Sequence, residues 1–101
     1  MKIERLPVLP KYRHRRGPYF AVRTGKQSVM LMREGGPVMF GAQDEYSGRA
    51  TSNLSVRFRK LKRGLVLTAC ANNIPVGPHT DVPAGLTQME AVSYFLWALG
   101  Y

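Results

Sequence analysis

A chain of 101 residues fits a single domain. With 45% hydrophobic and 10% aromatic residues it can bury a small core, which excludes a wholly disordered polypeptide. Fifteen Lys and Arg against six Asp and Glu leave a net charge of +9, a field that attracts nucleic acid, an anionic surface or an acidic protein.

The single cysteine, Cys70, excludes an internal disulfide and suits a reducing compartment. The N-terminal segment has no apolar run of signal-peptide length. The longest apolar stretch, near the C-terminus, is too short to span a bilayer. A cytoplasmic location without a membrane partner is therefore expected.

Residues 1–18 read as an extended arm preceding a single domain at residues 19–101. Pro7, Pro10 and Pro18 disfavour helix and strand interiors and bias the residues before them toward extended geometry. Ile3, Leu6, Val8 and Leu9 can lay the arm along the body as an edge segment. The run Lys11-Tyr12-Arg13-His14-Arg15-Arg16 is the densest charge cluster in the chain, and basic extensions of this kind track phosphate backbones.

Tyr19 to Arg33 predicts a hairpin. A turn centred on Gly25-Lys26 pairs Val22 with Val29 and Phe20 with Leu31. That register puts those four on one apolar face and Tyr19, Ala21, Arg23, Ser28, Met30 and Met32 on the other. Glu34-Gly35-Gly36-Pro37 reads as a turn and Val38-Met39-Phe40 as a short strand. Residues 41–53 form a long polar connection that carries Asp44 and Glu45.

The second hairpin spans Leu54 to Ala71. Leu54, Val56 and Phe58 alternate with Ser55, Arg57 and Arg59, the period of a half-buried strand. Gly64 supplies the turn with a residue that tolerates positive φ. The expected register sets Lys60 opposite Leu65, Phe58 opposite Leu67 and Val56 opposite Ala69. Leu54, Val56, Phe58, Leu65, Leu67 and Ala69 then share a core face. Arg57 and Arg59 stand on the other, and Lys60, Lys62 and Arg63 lie at the tip. A slip of one residue would mix the two sets, so burial of one face fixes the pairing.

Asn72-Asn73 turns the chain out of the sheet, and residues 74–85, with three prolines, read as an extended loop. Thr87-Gln88-Met89-Glu90 matches a capping box, predicting a helix from about Gln88 to Leu99 that stops at Gly100. Met89, Val92, Leu96 and Leu99 share one helix face. Ala91, Tyr94, Phe95, Trp97 and Ala98 leave almost no polar face opposite. A helix so apolar needs cover on more than one side, from a curled sheet or a second chain. Tyr94, Phe95, Trp97 and Tyr101 therefore become a candidate partner interface, and a homodimer through the helix is one way to cover it.

The expected fold is α+β: an antiparallel sheet of four to five strands, built from two hairpins and covered by one C-terminal helix, with a basic arm.

Little in the chain speaks for catalysis. There is no Cys-x-x-Cys, phosphate loop, dinucleotide fingerprint or nucleophile elbow, and His14 and His79 lack paired ligand spacing. No metal, cofactor or catalytic residue is expected. His79-Thr80-Asp81 has the elements of an oriented general base, but its flanking prolines mark a loop in which Thr80 and Asp81 serve turn hydrogen bonds. Cys70, within a strand, reads as a packing residue.

The basic–aromatic set is the stronger signal. Arg13, Arg15, Arg16, Arg57 and Arg59 offer planar forks suited to phosphate oxygens. Lys11, Arg23, Lys60, Lys62 and Arg63 add charge, and Tyr12 and Tyr19 are placed to stack on exposed bases. Residues 1–33 hold nine of the fifteen cations and one acid, whereas residues 86–101 hold no cation. The expected function is that of a small non-enzymatic protein binding DNA or RNA through phosphates. A second reading is a phage- or plasmid-type inhibitor that docks on an acidic or nucleic-acid-handling protein.

The closing Trp97-Ala98-Leu99-Gly100-Tyr101 looks like the tail of the plasmid gyrase-poisoning toxins, which are similar in length; that resemblance implies a toxin as a third reading. That family closes on Trp-Gly-Ile. Here two residues separate Trp97 from Gly100, and the strong positive charge also departs from the pattern.

Overall fold

The computed structural model describes residues 2–34, 36–38, 53–71, 74–75, 77 and 79–101. Eight strands and one helix follow in chain order: β1 (Ile3–Arg5), β2 (Tyr19–Gly25), β3 (Ser28–Arg33), β4 (Gly36–Pro37), β5 (Leu54–Leu61), β6 (Gly64–Ala71), β7 (Ile74–Pro75), β8 (Thr80–Asp81) and α1 (Gln88–Ala98). All pairings are antiparallel. The sheet runs β1-β2-β3-β5-β6-β7, with β4 on β3 and β8 on β6. The fold is α+β, an antiparallel sheet with one C-terminal helix, as the alternation and the capping box predict.

The details differ in several places, among them β4 (Gly36–Pro37), which pairs with β3 where a turn was expected. The strands outnumber the expected four to five because short segments cap both edges. Residues 3–5 of the arm form β1 against β2. Part of the loop over residues 74–85 forms β7 and β8, which satisfy the outer edge of β6, as buried backbone groups require. Residues 39–40 of the expected third strand, Asp44, Glu45 and the Asn72-Asn73 turn lie outside the described residues.

The β5–β6 hairpin has the predicted register, with Val56 opposite Ala69, Phe58 opposite Leu67 and Lys60 opposite Leu65. Lys62 and Arg63 make the two-residue loop, and Gly64 follows at φ +128°. Leu54, Val56, Phe58, Leu67 and Ala69 are buried together, with Leu65 packed at the margin.

The β2–β3 hairpin departs from its expected register. Its loop is Lys26-Gln27, and Thr24 is an extra residue, so Gly25 opposes Ser28 while Arg23 opposes Val29. A Cβ on Gly25 would come within 2.9 Å of Ser28 Oγ, so a larger residue there would have to displace that hydroxyl. Val22 consequently pairs with Met30 and Ala21 with Leu31. The core face is Tyr19, Ala21, Val29 and Leu31. Phe20, Val22, Met30 and Met32 occupy the opposite face, where Val22 is also buried. Both faces of this hairpin are apolar, so hydrophobicity does not select a register, and the bulge decides it.

α1 begins with the complete capping box. Thr87 Oγ1 accepts from the Glu90 backbone N–H at 3.2 Å, and the Glu90 carboxylate accepts from the Thr87 N–H at 3.0 Å. It ends in a Schellman turn: Gly100, at φ +94°, donates to Trp97 O, and Tyr101 donates to Leu96 O, both at 3.0 Å. Ala91, Val92, Phe95 and Leu96 bury against the sheet. Leu99, expected on that face, is 42% exposed, because the turn carries the chain away and Tyr101 packs on the core instead. Among the described residues no helix is long and apolar enough to cross a membrane.

Candidate nucleic-acid interface

The cations are positioned by two devices, strand parity and an arm tied to the helix. Parity governs β5. Arg57 lies beside Ser28 of β3 and Thr68 of β6, and Arg59 lies beside Val66. Both arginines are exposed on the face opposite α1, about 7 Å apart along the strand. Lys62 and Arg63 extend them over the turn. Arg5, whose partner Phe20 shares this face, adds a cation on the far edge. The small neighbours Val66 and Thr68 are buried, each with a long arginine beside it in the ladder.

Parity also divides the predicted set. Arg23 pairs with Val29, which pairs with Val56, so it belongs to the helix side of the sheet. There it donates to Gln88 Oε1 at 3.1 Å. The bulge in β2 is the reason it does not join Arg57 and Arg59. Lys60 also has helix-side parity. With Leu65, Val82, Leu86 and Gln88 it lines a groove of about 360 Å³ beside the start of α1.

His79-Thr80-Asp81 does not assemble an acid–base pair. Arg63 Nε donates to Asp81 Oδ1 at 2.9 Å, while His79 Nδ1 is hydrogen-bonded to Thr68 Oγ1 at 2.6 Å. The Arg63–Asp81 pair is more than 60% exposed on both sides, where such a bridge contributes little to stability. Among the described residues no three of His, Cys, Asp and Glu come together.

The arm is bound to the body along the helix. Leu6 and Leu9 are buried, and Leu9 bridges to Tyr12 across a turn at Pro10-Lys11. Ser93, fully buried in mid-helix, donates its hydroxyl proton to the Pro7 carbonyl at 2.6 Å. The Ser93 carbonyl can only accept, so His14 Nε2 carries a proton and donates to it at 2.8 Å. The Arg15 and Arg16 amides both donate to the Tyr101 carbonyl, at 2.8 and 3.1 Å. Tyr12 packs edge-on to Tyr94 at 4.8 Å between ring centroids and lies 4.9 Å from Trp97, geometry that favours aromatic pairs.

Within the arm, residues alternate. Tyr12 and His14 are half-buried toward the helix, while Lys11, Arg13, Arg15 and Arg16 are exposed. The four cations are therefore exposed on a segment tied to a helix that has none of its own, and Arg16 lines a recess with Gly17, Pro18, Arg33 and Glu34.

This arrangement accounts for the aromatic excess of the helix. Phe95 is core, Tyr101 is drawn in by the Schellman turn, and Tyr12 covers Tyr94 and one side of Trp97, which stays 39% exposed. The arm thus supplies part of the cover for which a curled sheet or a second chain was expected. Tyr19 is not placed for base stacking. It is 1% exposed, with His14 and Tyr101 against its ring, because the bulge turns it inward. The Ser93–Pro7–His14 lock has no signature in the sequence beyond a serine on an otherwise apolar helix.

No protein family, curated protein or solved structure matches the chain.

Proposed function

We propose that the protein is a small, non-enzymatic, cytoplasmic nucleic-acid-binding protein that holds phosphate backbones through its exposed cations. The observation that carries this reading is the pair Arg57 and Arg59. They are exposed on one sheet face at about 7 Å, near twice the phosphate repeat of about 3.4 Å along one strand. Their strand neighbours are Ser28, Thr68 and Val66.

Contacts to phosphate give affinity and orientation with little sequence preference. Titrating salt against binding to random-sequence DNA and RNA tests this. Replacing Arg57 and Arg59 with Ala should weaken binding to every sequence and lower the slope of log K against log salt by about 2. A wild-type protein that ignores both polymers at low salt would overturn the reading.

A further inference from the structure

β1 is an open edge of the sheet. Among the described residues it pairs with β2 alone, and Lys2, Ile3, Glu4 and Arg5 are all exposed. Its register sets Ile3 opposite Val22 and Arg5 opposite Phe20. One step further, Leu6 donates its N–H to the Tyr19 carbonyl at 2.9 Å. Antiparallel ladders alternate hydrogen-bonded with non-hydrogen-bonded pairs, so Leu6 and Glu4 turn their backbone groups toward β2. The N–H and C=O of Ile3 and Arg5 face outward instead. The edge stops there, because Leu6 is buried and Pro7 has no N–H to offer.

The side chains follow the same parity. Lys2 and Glu4 line one recess with Ala21, Arg23 and Met89 on the helix side, while Ile3 stands on the other side with Val22. Ile3 is 59% exposed, more than any other large apolar residue among those described. Neither Lys2 nor Glu4 forms an ion pair among the described residues. Charge on an edge strand usually discourages a second strand. Here the two charges differ in sign and flank one apolar residue.

A second copy laid antiparallel on this edge must set outward backbone groups against outward backbone groups, which leaves few registers. Pairing about Arg5 places Ile3 against Pro7, which cannot donate. Pairing about Glu4 puts two carboxylates directly opposite each other, which is destabilising. Pairing about Ile3 sets Ile3 on Ile3 and places Lys2 opposite the partner's Glu4, twice by the two-fold symmetry. Those ion pairs fall at the non-hydrogen-bonded positions, where Cα atoms approach to about 4.5 Å. One arrangement thus satisfies the edge backbone, covers Ile3 and pairs both charges. We infer that the protein self-associates edge to edge through β1, two copies pairing about Ile3 to join their sheets. So short a contact makes a weak, reversible dimer.

Sedimentation velocity on the full chain, from about 10 µM to about 1 mM, should show a monomer–dimer equilibrium. Lys2→Glu and Glu4→Lys each set like charges opposite one another, and each should weaken the dimer about tenfold or more. General repulsion between basic chains predicts a different pattern, since Lys2→Glu lowers the net positive charge and would strengthen association. An equimolar mixture of the two variants should recover the dimer, because every charge then meets its opposite. Both positions are exposed, so the variants should fold as wild type does, which circular dichroism checks. Wild type that stays monomeric at about 1 mM would overturn the inference. A dimer that either single variant leaves unchanged would also overturn it, assigning association to another surface. So would a mixture no more associated than its components. The measurement contains no nucleic acid, so its outcome is separate from that of phosphate binding.

Discussion

The β5–β6 hairpin and the N-terminal arm carry most of the charge of this protein, and they hold it by different physics. In the hairpin each arginine is placed by backbone geometry. A ladder of eight residue pairs from Leu54–Ala71 to Leu61–Gly64 sets the side, and the buried Val56, Phe58 and Leu67 forbid a slip. In the arm nothing local fixes the geometry. Its cations point outward only because Tyr12 and His14 point inward, and those two find their partners about 80 positions along the chain. Side chains fixed by a sheet persist as long as the sheet does. Side chains fixed by a few distant hydrogen bonds can be released one contact at a time.

The largest effect expected from breaking this contrast is in the core of the hairpin. Phe58 is buried among Leu54, Val56, Leu67 and the helix residues Phe95 and Leu96. Phe58→Ala should cost about 3–5 kcal/mol, a large part of the stability of a domain this size. In a denaturant titration the arm and hairpin signals should be lost in one transition at a much lower midpoint. A mutant that kept its hairpin while losing only the arm would contradict the assignment of Phe58 to the common core.

A smaller and more local effect is expected at Ser93. Ser93→Ala removes the donor to the Pro7 carbonyl and the Oγ contact with His14 Nε2 at 3.2 Å, while leaving the Ser93 carbonyl for His14. Leaving that part-buried carbonyl without its donor costs on the order of 1 kcal/mol. Amide exchange and protease cleavage should rise across residues 7–16, with the β5–β6 amides unchanged. Equal loss of protection in both regions would show that they form one cooperative unit, and the contrast drawn above would fail.

The same contrast explains what the sequence discloses. The second hairpin is legible to the level of register because one face is apolar and the other is cationic, so only one pairing is consistent. The helix is legible because Thr87, Glu90 and Gly100 specify its ends through local bonds. The first hairpin is not legible, since Tyr19, Ala21 and Phe20, Val22 are equally plausible as the buried set. The choice falls to a bulge at Thr24 that no alternation announces. That one residue moves Arg23 to the helix side and hides Tyr19, so two expected contact residues leave the exposed set. The arm is legible in composition but not in placement. Its proline content predicts extended backbone, yet the decisive contacts join positions 7 and 14 to position 93. The strands at 74–75 and 80–81 were equally hidden, because two-residue pairings have no period of their own.

The finest test lies where the arm meets the helix end. Burial raises the Tyr101 phenol above its ordinary value of 10.0, and repulsion from the Tyr19 phenol adds to the rise. Tyr19 itself has a buried hydroxyl with no hydrogen-bond partner among the described residues. The sign follows from linkage. A phenol with a raised pKa in the folded state ionises first in the unfolded chain. The stability it contributes is complete below pH 10 and declines as pH rises through the folded value. Tyr101 also accepts the Arg15 and Arg16 amides through its main-chain oxygen, so strain from its ionisation should be felt at the arm before the β5–β6 hairpin. Urea unfolding followed from about pH 8 to about pH 11 should show wild type losing stability above pH 10. Tyr101→Phe, which keeps the ring and the main-chain contacts, should lose less over the same interval. Identical slopes for the two proteins would assign the alkaline loss to other groups, and the Tyr19–Tyr101 contact would then have no part in holding the arm.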